Sequence, residues 1–193
     1  RPVQRDAAEL LERARGIVAD VRARGDDALR DYTSTLDGVL LESFGVSDAE
    51  FAAAEAALTP VQRAALERAI DTITRFHELQ TLPPLRLETA PGVVCERMTV
   101  ALESVGLYVP AGTAPLPSTA LMLAIPASIA RCPVRVMCTP PRPDGSADPA
   151  VLVAARLCGI RKVFKIGGAQ AVAAMAYGTA TVPKVVKIFG PGN

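Results

Sequence analysis

The sequence predicts an α/β fold: a parallel sheet built by residues from about Ser104 onward, preceded by an amino-terminal helical region. Three observations lead there. Residues 1–82 carry apolar residues at helical spacing, residues 83–103 are rich in turn signals, and beyond them short apolar strands alternate with small-residue helical stretches.

From Ala7, the residues Leu10, Leu11, Ala14, Ile17, Val18 and Val21 recur at three- and four-residue steps, the period of an amphipathic helix, and Gly25 stops it. A shorter helix is expected from Asp27 to Leu36, with Asp26 able to cap its free amides and Gly38 just past its end. Ser47-Asp48-Ala49-Glu50 reads as a capping box ahead of an Ala-rich helix. Thr59-Pro60-Val61-Gln62 repeats the pattern ahead of a helix reaching about Gln80. Nothing in this region resembles a catalytic cluster.

Pro83 and Pro84 end the helices, and partial alternation on either side of Ala90-Pro91-Gly92 predicts a hairpin or extended linker over 83–103. Strands are then expected at Val105–Val109, Val134–Thr139, Lys162–Ile166 and Val185–Phe189. Helices are expected between them at Ser118–Ala130, Pro149–Cys158 and Gly168–Ala176. Strand-helix-strand at this rhythm implies right-handed crossovers and a parallel sheet, so 104–193 reads as a Rossmann-like domain.

Composition narrows the function. Among 193 residues, 21 Lys and Arg balance 20 Asp and Glu, which leaves no basic surplus for a nucleic-acid backbone or an anionic bilayer. Aromatics are 4% and Trp is absent, so stacking platforms for single strands are lacking. The longest apolar run, Ala120 to Ala130, is interrupted by Pro126 and falls short of the ~20 residues a membrane span needs. The amino terminus has no apolar signal-peptide core and no initiator Met, so leading residues are expected to be missing and the cytoplasm is the expected compartment. Cys95, Cys132, Cys138 and Cys158 form no CxxC pair, and neither a disulfide nor a structural zinc is expected. His77 is the only histidine and reads as a packed or capping residue. Cys138 lacks a partner base, Met175 and Tyr177 read as core, and Glu12 with Arg15 reads as a solvated face.

Ligands of parallel α/β sheets bind at the carboxyl ends of the strands, and three of those ends here are unusual. The first runs into Tyr108-Val109-Pro110-Ala111-Gly112-Thr113-Ala114-Pro115, a stiff small-residue loop with one aromatic hydroxyl. Another runs into Gly167-Gly168-Ala169-Gln170 at a helix start, whose free amides could face a phosphate. The last ends in Gly190-Pro191-Gly192-Asn193. A lone Gly pair is more often only a tight turn; three such loops on one edge favour a nucleotide. GxGxxG is absent, however, and the second strand ends in Thr139-Pro140-Pro141-Arg142 without the usual ribose-gripping carboxylate.

The segments SVGLYVPAGTAPLPSTALML, KIGGAQAVAAMAYGT and VPKVVKIFGPGN, in this order, resemble successive signatures of histidinol dehydrogenase, with weaker likeness in VRARGDDALRDYT and FHELQ. The resemblance implies a Rossmann-like fold and a homodimer that oxidises L-histidinol to L-histidine with zinc and two successive NAD molecules. By motif position it implies NAD contacts at Tyr108, Gln170 and Asn193. It also implies that the zinc ligands and a Glu-His acid/base pair lie beyond GPGN, so these 193 residues are expected to hold no catalytic or metal ligand and to be inactive alone. Two departures stand out: Ala111 for the family's usual Gly, and Val186 for an acidic residue.

The alternatives are a non-catalytic nucleotide-binding or oligomerisation module and a related NAD(P)-dependent aldehyde-oxidising enzyme. Any NAD affinity is expected to be weak and centred on Tyr108, Gly167, Gly168 and Gln170, because neutral hydrogen bonds contribute only ~0.5–1.5 kcal/mol each. A mean hydropathy of +0.26 adds an expectation of self-association.

Overall fold

The computed structural model describes residues 3–111 and 115–191, with side chains from residue 8 onward. Helices α1 (Val3–Arg24) and α2 (Asp26–Tyr32) lead into a π-helical turn at Thr33–Asp37, followed by α3 (Asp48–Ala57) and α4 (Pro60–Glu78). Next come β1 (Leu85–Ala90), β2 (Val93–Arg97), β3 (Ser104–Tyr108), α5 (Pro117–Ile129) and β4 (Val134–Thr139). The order closes with α6 (Pro149–Leu157), β5 (Lys162–Lys165), α7 (Gly168–Tyr177) and β6 (Lys187–Phe189). Both capping boxes form: Ser47 with Glu50 ahead of α3, and Thr59 with Gln62 ahead of α4. Asp26 does not cap α2. Gly25 holds the cap position without a side-chain bond, and the Asp26 carboxylate instead accepts from the Thr181 hydroxyl, tying α2 to the loop after α7. The helix expected through Leu36 gives way at Thr33 to the π turn, which ends at Gly38 with φ of 71°.

The sheet has order β5-β4-β3-β6, all neighbours parallel. Side-chain alternation splits the core in two. Val105, Leu107, Met137 and Val163 face α5 and α6, while Val136, Cys138, Phe164 and Ile166 face α7. The amino-terminal helices cover both faces as an outer layer. Ile17, Val21, Ala28 and Leu29 from α1 and α2 join the α7 side; Phe51 and Ala54 from α3 join the other, with Leu66, Ile70 and Ile73 of α4 packed against it. The apolar stripe of α1 is buried only in its second half, since Leu10 and Leu11 remain 64% and 51% exposed.

Two features lie at the margins. Residues 44–46 run antiparallel along β5: Val46 N–H donates to the Val163 carbonyl at 2.9 Å, and Lys165 N–H to that of Phe44 at 2.8 Å. The hairpin β1-β2 is exposed on both faces along its whole length. Among the described residues no helix is long and apolar enough to cross a membrane.

Candidate functional site at the carboxyl ends of the strands

Strand β3 comes first in the parallel unit; β4 and β5 follow on one side of it and β6 lies on the other. The direction of winding therefore reverses between β3 and β6, the position beyond whose carboxyl ends sheets of this kind bind their ligands. Tyr108 ends β3 and is partly buried. Its hydroxyl accepts a hydrogen bond from the Gly168 N–H at 2.9 Å, so the first amide of α7 is already engaged. Gly190, after β6, stands so close that a Cβ on it would lie 2.6 Å from the Tyr108 carbonyl oxygen. The three strand ends singled out by composition thus meet around Tyr108.

Gln170 lies in the first turn of α7 and is 1% exposed, with its Oε1 buried and, among the described residues, without a donor. The side chain folds back over Gly168, where a Cβ would fall 2.6 Å from that oxygen. Only glycine, here at φ of 60°, leaves that room. Burial raises the Tyr108 hydroxyl above its usual range, the Gly168 N–H partly opposes this, and the nearby Asp37 charge adds to the rise. Asn193 lies outside the described residues, as do Gly112, Thr113 and Ala114 of the β3 loop.

Asp37 went unremarked in the sequence. The π turn carries it onto the strand ends, where a Cβ on Gly167 would lie 3.2 Å from its Oδ1 and 2.8 Å from Pro140 Cγ. A single Asp at a helix end has no local signature, and the π turn that places it here is seen only in the structure. Lys165, 7% exposed at the end of β5, was also missed, and it is paired at 2.7 Å with Glu50 of the α3 capping box.

Of the remaining candidates only Cys138, in register with Tyr108 near the end of β4, lies close to this rim. His77 closes α4, its Nδ1 within 2.7 Å of Gln80 Oε1. Cys132, Cys138 and Cys158 are buried; burial drives the Cys138 thiol far up and that of Cys158 to about 11. Met175 is core, but Tyr177 is 43% exposed with Arg22 over its ring, so Tyr177 does not belong to the core as expected. Glu12 and Arg15 pair on solvated surface. Val186 is 62% exposed at the foot of β6, its N–H donating to Ser104 Oγ, so it stands at the end of the sheet opposite the rim.

Comparison with known proteins matches the arrangement to a family. The family profile described as histidinol dehydrogenase matches residues 1–193. The chain is 60% identical over its whole length to histidinol dehydrogenase of Xanthomonas campestris pv. campestris, covering 45% of that protein. It is 50% identical to that of Photobacterium profundum, covering 43%. The crystal structure of histidinol dehydrogenase from Elizabethkingia anophelis superposes with a TM-score of 0.92 at 41% identity, over 95% of this chain and 42% of the other. The chain thus spans a little under half the length of the relatives it matches. Likeness over the whole chain in sequence, and over 95% of it in fold, has one reading: the chain belongs to the histidinol dehydrogenase family.

Proposed function

We propose that the chain forms the dinucleotide-facing part of an oxidoreductase that converts L-histidinol to L-histidine with NAD and zinc, as a cytoplasmic homodimer. The observation that carries the NAD reading is the meeting of three strand-end loops at the switch point, locked by the Tyr108–Gly168 hydrogen bond of 2.9 Å. The residues fit such a ligand. Gly168 and Gly190 bring backbone to the surface of the rim, and the orphaned Gln170 Oε1 offers an acceptor to a polar ring substituent. When bound, NAD supplies a hydride acceptor. Tyr108 would stack or hydrogen-bond at the mouth, and Gln170 would orient the ligand's amide or ring edge.

Zinc does not fit the same way, because among the described residues no three of His, Cys, Asp and Glu come together as a metal site. The metal ligands and the acid/base pair would come from outside the described residues. The exposed hairpin and a groove of about 660 Å³, lined by Leu82, Val100, Met122 and Phe189 among others, support the homodimer.

Two measurements test the reading. Titrating NAD into the chain should move the backbone amide resonances of Tyr108, Gly167, Gly168 and Gln170, with affinity near millimolar; shifts confined to residues remote from the strand ends refute the NAD site. The product of the complete gene should form NADH from L-histidinol, and a folded product that forms none refutes the substrate.

A further inference from the structure

A dinucleotide site in this kind of sheet ordinarily takes a carboxylate from the end of the second strand of the parallel unit, where it accepts the ribose hydroxyls. The second strand here is β4, which runs into Thr139 and Pro140 and carries no acid. Asp37 occupies that neighbourhood from a different direction. Its Oδ1 and Pro140 Cγ both pack against Gly167, at 3.2 and 2.8 Å from where a Cβ would stand.

We propose that Asp37, delivered by the helical region to the end of the second strand, accepts the hydroxyls of the adenosine ribose of a bound nicotinamide dinucleotide. This rests on the NAD reading above. Three observations support it independently of that reading. Among the described residues no donor reaches the buried Oδ2, so one face of the carboxylate lacks any protein partner. Lys165, at the neighbouring strand end, is committed to Glu50. Gly167 has no side chain to screen Asp37 from the rim, and burial alone, with no compensating bond, holds the Asp37 carboxyl above the usual carboxylate range. An unpartnered carboxylate is costly to bury, and a ligand hydroxyl is the kind of donor that relieves it.

The test compares NAD and NADP on the unaltered chain and on Asp37→Asn, following rim amide shifts. NADP carries a phosphate where the ribose hydroxyl would meet the carboxylate. It should bind the unaltered chain at least about tenfold more weakly than NAD, through like-charge repulsion. Asp37→Asn keeps the shape but not the charge, so NAD affinity should fall about tenfold and the NAD/NADP gap should close to about threefold or less. Rim shifts with NAD in the unaltered chain, but equal affinity for NADP or an unchanged gap in Asp37→Asn, overturn this proposal and leave the NAD site standing. Absence of rim shifts overturns both. The NADP comparison needs no variant, so a poorly folded Asp37→Asn would not shelter the proposal.

Discussion

Replacing Gly106 by alanine would put a methyl group where three side chains already stand. Gly106 is the middle residue of β3, the strand at which winding reverses. A Cβ there would lie 2.7 Å from Met175 Sδ, 3.1 Å from Val185 Cγ2 and 3.3 Å from Ile188 Cγ1. Met175 and Val185 are 0% and 5% exposed, so neither can turn toward water. Overpacking costs ~1–3 kcal/mol, and a contact this short in the middle of the sheet belongs in the upper half, about 2–3 kcal/mol. For a chain of this size, at ~2–4 °C per kcal/mol, the melting midpoint should drop by about 4–12 °C. Met175→Ala alone should cost ~2–5 kcal/mol as a cavity. In the double variant the new methyl enters the space the thioether left, so the total should fall short of the sum by about 1 kcal/mol or more. Urea unfolding of all four chains, followed by circular dichroism, measures this. An unchanged midpoint for Gly106→Ala, or additivity within ~0.5 kcal/mol, refutes the close approach of β3 and α7.

Burial pushes the Glu50 carboxyl up, but the Lys165 ammonium and the Ser47 donors outweigh it and leave it below its ordinary value. A depressed carboxylate contributes stability above its unfolded pKa and loses it as pH falls through the folded one. Glu50→Gln should therefore cost about 1 kcal/mol at neutral pH, with the gap to the unaltered chain closing below about pH 4 in acid titrations of stability. Thr59→Ala, which breaks the α4 capping box, should cost about 1 kcal/mol in urea unfolding, whereas Thr59→Asn should restore most of it. With a thiol reagent at neutral pH, Cys95 should react at once, and Cys138 and Cys158 only as fast as the chain opens. Equal rates for all of them would contradict the burial described above.

Much of this was legible in local pattern. Capping boxes at Ser47 and Thr59, the turn at Pro91-Gly92 and the four sheet strands depend on neighbours a few residues apart, and the structure shifts their ends by only a residue or two. What was not legible depends on distant partners. Asp26 leaves its own helix because Thr181 offers a donor from across the fold. Tyr177 has the spacing of a core residue, but Arg22 of α1 covers it only from one side. Leu10 and Leu11 continue the stripe of α1 without a described surface to receive them. At the rim, Tyr108 and Gln170 stood out through glycine-rich company, whereas Asp37 became visible only once the π turn had carried it beside Gly167.

The strap of residues 44–46 along β5 also fixes how this sheet can be extended. A parallel sheet ends in strands whose outer amides and carbonyls invite pairing by other chains. On the β5 side, Val46 and Phe44 occupy those groups, in antiparallel sense, so a further parallel strand finds no open positions there. The border of β6 is different: Lys187, Ile188 and Phe189 pair with β3 alone among the described residues. Among the described residues the sheet is thus closed on the β5 side and open on the β6 side, the border next to the switch point.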